Sequence, residues 1–406
     1  MSLDRLYVLS VPIAAGISSV SGPRFGGLHY TGFIWMAYLC CGTLLVLRHP
    51  DAIRFPVRLW LPFVGLALMS LIWGGLDSFR QIQAILQWTT TVVVGMVASM
   101  TVRREDDLER LMRAYGWALL LVTGMFLFFH FGPGTRWQDS DAGRGFSHRT
   151  AAITLALLAG VASVHVSRRA VRRTAAWSGC LLLGIVTGSR MATACMMLAP
   201  LANPLWRSKA GKAGFVLGLG LLTVLLANTA AFQERFFHSG RGNLGSLFSG
   251  DLDSSGRDHL WSFLWSEALQ RPFFGHGAGS SAAYLQKAGF LLAHPHNEYL
   301  RIVFEMGFVG LAVFMGAVVL QGFDCYGRAL KAGPGVRYAF AAAVVGLFIL
   351  LVISVTDNPL VYNLGFMHPL FALIGAAYGA AAGTMRLGAE VTVGATTKQA
   401  PPFGGY

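Results

Sequence analysis

Seven consecutive residues, His294-Pro295-His296-Asn297-Glu298-Tyr299-Leu300, carry the most specific chemical signal in the chain. Proline keeps the residue before it extended, and an apolar helical run begins a few residues later. The pattern therefore predicts a helix start with His296 and Asn297 at its mouth and His294 close by. An imidazole with an unperturbed pKa of about 6.5 can take a proton from a hydroxyl at neutral pH. The same ring can instead cap the helix or bond a backbone carbonyl, and both readings of His296 stand at this level. A second signal is Thr187-Gly188-Ser189-Arg190, a guanidinium just past an apolar run. A charge there is expensive and usually has a partner. Arg190 either snorkels to the membrane surface or grips a phosphate through two parallel hydrogen bonds, with Ser189 in support. Arg257, at the head of an amphipathic stretch, is either an ordinary surface charge or a second phosphate ligand.

Other patterns carry less. Asp251-Leu252-Asp253 has the form of a metal-binding DxD, but that device serves nucleotide sugars, which are cytoplasmic, and short matches are common. The five cysteines, Cys40, Cys41, Cys180, Cys195 and Cys325, sit in or beside apolar runs without metal-ligand spacing, so neither a zinc site nor a disulfide framework is expected. Gly275 to Gly279 follows no strand and makes a weak dinucleotide signal. Thr356-Asp357-Asn358-Pro359 and His368-Pro369 read as helix breaks rather than a proton path. No cofactor and no metal are implied.

The elements that hold these residues are set by the solvent. Of 406 residues, 54% are apolar and 13% charged, about half the charged fraction of a soluble domain. Apolar runs of about 20 residues, each able to span a hydrocarbon core of roughly 30 Å, recur from end to end. The expected fold is an all-α polytopic membrane protein of twelve spans: 6–21, 27–47, 57–75, 82–101, 111–131, 150–166, 174–188, 191–206, 213–232, 298–322, 338–355 and 364–383. The seventh and eighth are the weakest, because Pro200 and Pro204 interrupt the second of them. The first carries no cleavage signal and reads as a retained span.

Net charge of +13 would suggest nucleic acid in a soluble protein, but here the basic residues follow topology. With the N-terminus inside, alternate loops on the cytoplasmic side hold seventeen Lys and Arg, and the short external loops hold six. Both termini are then cytoplasmic in a bacterial inner membrane. Residues 1–386 form one transmembrane domain, and 233–297 form an external, periplasmic loop subdomain within it. A loop of that length is usually functional. Within it Trp261 and Trp265 suit an interfacial helix, and its formal charges balance, so any anion site must be built from particular arginines. The Gly-, Thr- and Pro-rich tail 387–406 is expected to be disordered.

Taken together, these residues resemble the O-antigen ligase family, which is related to the O-antigen polymerases. Its pattern is His, then Asn, Ser or Gln, nine residues, Gly, two residues, and Gly, Thr or Tyr. His296 and Asn297 are followed by Glu298 to Met306, then by Gly307, Phe308, Val309 and Gly310. A Gly-Ser-Arg external arginine and another early in the long external loop are also typical, and they correspond to Arg190 and Arg257. The resemblance implies a GT-C type fold, a glycan donor on undecaprenyl diphosphate, and neither metal nor nucleotide. It also implies inverting transfer to a glycan, lipid A core or other hydroxyl acceptor, with His296 as base and Arg190 and Arg257 on the diphosphate.

Polymerases often carry Arg, ten residues, then Gly in two external loops. Arg149 and Gly160 fit; Arg257 and Arg271 do not, since Ala268 and Ala282 stand where glycines would. Ligase is thus favoured over exopolysaccharide or O-antigen polymerase. A polytopic transporter is the alternative of another class, although the spans are poor in carboxylates, with Glu305 the clearest, and no inverted repeat is visible.

Overall fold

The computed structural model describes every residue except 1, 21–23, 26–27, 75–78, 132–145, 166–169, 231–232, 235–236, 238–241, 243–256, 291–293 and 398–406. The described chain is built from helices, with one small antiparallel pairing of Arg24–Phe25 and Leu28–His29. In chain order the helices are α1 (Leu3–Ile17), α2 (Tyr30–Arg48), α3 (Val57–Met69), α4 (Leu71–Gly74) and α5 (Phe79–Thr101). Next come α6 (Glu105–Phe131), α7 (His148–His165), α8 (Ala170–Thr187), α9 (Arg190–Leu198) and α10 (Lys209–Ala227). The stretch after α10 contributes α11 (Arg257–Ala268) and α12 (Ser281–Lys287). Last are α13 (Glu298–Lys331), α14 (Pro334–Ile353) and α15 (His368–Thr397), the last entered through a π-helical turn at Asn363–Met367.

Seven helical stretches among the described residues are long and apolar enough to cross a bilayer: α2, α3 with α4, α5, α6, α13, α14, and Asn363–Thr384 at the start of α15. The other five expected spans fall on α1, α7, α8, α9 and α10. The expected eighth span is not a regular helix. Its α9 has nine residues, about 14 Å of rise, and gives way to a 3₁₀ turn at Ala199–Ala202 that contains Pro200, which has no N–H to donate. At the C-terminus, α15 runs to Thr397 and so enters the segment whose composition points to disorder; 398–406 lie outside the described residues, as do Asp251 and Asp253.

Two packing devices position the functional end. α7 is buried almost all round, from Ala151 to Ala162, as expected of a helix that is apolar on every face. α15 packs along α5 through Gly375, Gly379 and Gly383, where a Cβ would run into the carbonyl oxygens of Gly95, Val102 and Arg103; small residues let helix backbones approach this closely in a membrane. Opposite them, α13 is broken. Gly307 adopts φ 68°, and a Cβ there would run into the Phe273 carbonyl.

The break frees backbone groups that a membrane protein cannot leave unpaired. The segment that precedes α13 satisfies them: Phe308 and Val309 N–H donate to the carbonyls of Pro272 (2.7 Å) and Phe273 (3.2 Å). In return His276 and Gly277 N–H donate to those of Phe304 (2.9 Å) and Glu305 (2.7 Å). The glycine-rich run 275–279 is therefore a stitch into a broken helix, and Gly275, Gly277 and Gly279 all have positive φ.

Candidate active site

His296 sits in the turn that leads into α13, and its backbone is held in an unusual state. It is the one non-glycine residue with positive φ among the described residues, at 53°, a conformation that survives only where its surroundings enforce it. Three bonds do so. The His296 N–H donates to Asn358 Oδ1 at 2.8 Å, Trp261 Nε1 of α11 donates to the Pro295 carbonyl at 2.6 Å, and Glu298 N–H donates to the Ser354 carbonyl at 2.8 Å. Asn297 is the N-cap of α13, its Oδ1 accepting from Leu300 N–H at 2.9 Å. The capping role that sequence left open for His296 thus belongs to its neighbour.

The imidazole, 5% exposed, lies between two charged groups. Its Nε2 is 3.0 Å from Arg149 Nη1. A guanidinium has donors and no acceptor, so Nε2 must present its lone pair, and the ring proton of the neutral form is on Nδ1. That nitrogen faces Asp357 Oδ1 at 3.5 Å, beyond an ordinary hydrogen bond but close enough to orient the ring and stabilise an imidazolium. Asp357 belongs to the segment between α14 and α15, and its Oδ1 also accepts from Asn358 N–H at 3.0 Å.

Arg257, the first residue of α11, donates from Nη1 to the carbonyl of Thr356, next to Asp357, at 3.0 Å. Burial lowers the proton affinity of its guanidinium below the ordinary value; the charges of Arg149 and Arg190 act the same way, and those of Asp357 and Tyr362 oppose them. Arginine stays protonated in proteins, so the physical content is that two like charges, Arg149 and Arg190, and the Asp357 carboxylate lie close enough to act on Arg257. Arg190 reaches this site from the start of α9, after a turn in which Gly188 has φ 70° and Ser189 Oγ caps Ala192 N–H at 3.4 Å.

A buried ion cluster braces this turn from below. Arg301 pairs with Glu298 at 3.0 Å and with Glu305 at 3.1 Å. Glu298 Oε2 accepts from Leu360 N–H at 3.1 Å, and Glu305 Oε1 accepts from Ser281 Oγ of α12 at 2.5 Å. Glu305, the carboxylate that sequence picked out, is thus paired. His294 lies behind the site, where burial, then the charges of Arg301, His296 and Arg80, push its pKa down to about 3.

Residues 174–315 match the family model described as O-Antigen ligase, a stretch running from α8 past the break in α13 and containing Ser189, Arg190, Arg257, His294, His296, Asn297, Gly307 and Gly310. Over this stretch the chain is similar to the O-antigen ligase family. Comparison with curated proteins yields no match. Within the matched stretch Arg257 lies close enough to Arg190, and to the Asp357 that faces His296, for their charges to act on it, while Gly307 and Gly310 stand apart from the chemistry. Gly307 makes the break, and a Cβ on Gly310 would run into Met306.

Two participants fall outside the matched stretch: Arg149 and Asp357. Sequence registered Arg149 only through its spacing to Gly160, and Asp357-Asn358 only as a helix break. The break is real, since α14 ends at Ile353 and the π-helical turn begins at Asn363, and it is also what delivers Asp357 and Asn358 to His296. A carboxylate flanked by apolar runs was the available signal.

Proposed function

We propose that the chain is a membrane glycosyltransferase of GT-C type architecture. It moves a glycan from undecaprenyl diphosphate to an acceptor hydroxyl on the periplasmic face of the inner membrane, most simply as a surface-polysaccharide or O-antigen ligase. The observation that carries this is the convergence of an imidazole with a presented lone pair and three guanidinium groups, Arg149, Arg190 and Arg257, beside one carboxylate.

The acceptor oxygen attacks the anomeric carbon as its proton passes to His296 Nε2. The carbon–oxygen bond to the diphosphate breaks on the opposite face, its electron pair leaves with the lipid diphosphate, and the anomeric configuration inverts. Negative charge grows on the leaving oxygen, where guanidinium groups in a low-dielectric site stabilise the transition state more than the ground state. Asp357 stabilises the imidazolium that forms at Nδ1–H. The cationic charge that the leaving group needs comes from arginine.

A polymerase reading has one observation of its own: Arg149, of the Arg-x10-Gly spacing, touches the candidate base. Eleven residues are close to three turns of α-helix, so Arg149 and Gly160 share a face of α7. Gly160 packs there against Ile349 and Val345, leaving no room for a Cβ. The spacing is explained by packing and does not itself choose the acceptor.

The test incubates the purified protein with an undecaprenyl-diphosphate glycan and candidate acceptors, reading product mass and released lipid diphosphate. His296→Ala should abolish transfer, and Arg190→Ala or Arg257→Ala should lower it by roughly 10²-fold, all at normal protein abundance. Substantial residual transfer removes that residue from the mechanism. A glycan ladder still on lipid diphosphate marks a polymerase; transfer to lipid A core marks a ligase. Solute uptake by proteoliposomes without transfer would favour a transporter.

A further inference from the structure

The lone pair that must accept the proton is already in use. Nε2 accepts from Arg149 Nη1 at 3.0 Å, and Nδ1 carries the ring's proton toward Asp357, so the imidazole has no second acceptor to offer. Resting on the transferase reading, we propose that Arg149 is a donor-operated mask on the base: it covers Nε2 until a diphosphate arrives and draws the guanidinium away.

The charges supply the driving force. Arg149 and Arg190 both act on Arg257 as like charges, opposed by Asp357 and Tyr362, and a diphosphate entering among the guanidinium groups relieves that repulsion. A phosphate oxygen also accepts a charge-assisted hydrogen bond, roughly twice as strong as one between neutral groups, and can take it in bidentate form. The backbone need not move. Arg149 lies on the first turn of α7, and the residues that follow it, from Ala151 to Ala162, are locked in the core, so the change is confined to the arginine side chain. With the mask in place no acceptor hydroxyl is activated; with the diphosphate bound, the same event that neutralises the guanidinium cluster frees the base. The donor must then bind before the acceptor is deprotonated.

The experiment reads the lone pair directly. Diethylpyrocarbonate acylates an unprotonated imidazole nitrogen, and peptide mapping by mass spectrometry follows each histidine of the intact protein. His259, exposed on α11, is the internal standard, and His368, fully buried, stays unlabelled only while the fold is intact. Arg149→Ala should label His296 at least tenfold faster than wild type. Arg257→Ala, whose guanidinium bonds the Thr356 carbonyl instead, should change that rate by less than twofold. Equal rates for wild type and Arg149→Ala overturn the proposal.

A second arm uses wild type alone and so needs no variant to fold: inorganic diphosphate at millimolar concentration should accelerate labelling of His296, and an unchanged or lowered rate overturns the proposal. Neither arm requires turnover. Glycan transfer with no labelling difference removes the mask and leaves the transferase reading; the labelling difference without transfer does the reverse.

Discussion

Asp357 and Arg149 address opposite nitrogens of one imidazole, and they do so in opposite senses. The carboxylate favours a proton on Nδ1 and hence a base at Nε2, whereas the guanidinium occupies that base. Asp357→Asn separates orientation from charge, because an amide nitrogen can donate to Nδ1 and hold the ring in the wrong tautomer. Loss of transfer by ~10²- to 10⁴-fold is expected, as for carboxylates that orient a catalytic histidine elsewhere, with the KM for donor little changed. A rate close to wild type would take Asp357 out of the mechanism.

His294, two residues away, makes a different prediction at the same scale. Its folded pKa is depressed to about 3 from the ordinary 6.5, so between those values the unfolded chain binds a proton that the folded chain refuses. The stability tied to it is complete above the upper value and is lost as pH falls through that window. His294→Gln should therefore flatten the fall of Tm between pH 6.5 and pH 4 relative to wild type; parallel curves would contradict it.

At the scale of elements, α13 carries both the machinery and its scaffold. Its first turns hold the ion cluster of Glu298, Arg301 and Glu305, and its break at Gly307 takes up the segment around Pro272 and Phe273. Gly307→Ala meets two penalties: a left-handed conformation that a side chain adopts at a cost on the order of 1 kcal/mol or more, and collision with the Phe273 carbonyl. Gly316→Ala in the same helix meets open space and should gain up to about 1 kcal/mol of helix propensity. Thermal denaturation in detergent should show the first variant lowered by several degrees and the second unchanged or raised; the reverse order would refute the stitched break.

The break also shows what sequence reveals and what it hides. Gly307 and Gly310 are visible as a spacing from His296, but the spacing says nothing of why they are glycines: the reason for Gly307 lies 34 residues upstream at Phe273, and that for Gly310 in the Met306 side chain of the same helix. Arg149 and Asp357 are hidden for the same cause. Each reaches His296 across an interval that only the packing of α7 and the end of α14 closes, whereas Asn297 caps the helix that follows it and is readable locally.

For the whole molecule, the decisive property is sidedness. Apolar periodicity marked the seven long spans because each is long enough to register alone. It over-regularised α9, where a short helix and a proline-bearing 3₁₀ turn share one apolar run. The bend between α13 and α14 carries Arg328, Lys331 and Arg337, a basic cluster of the kind retained in the cytoplasm, and it lies a full span from the His296 turn along α13.

We therefore expect the site and that bend on opposite faces. In intact cells of a strain lacking the native cysteines, a cysteine at exposed His259 should react with a membrane-impermeant maleimide. One at exposed Lys331 should react only after permeabilisation. The opposite pattern would put the site among cytoplasmic nucleotide sugars and overturn the lipid-linked donor. Equal access at both positions would mean that α13, despite its length, does not cross the membrane.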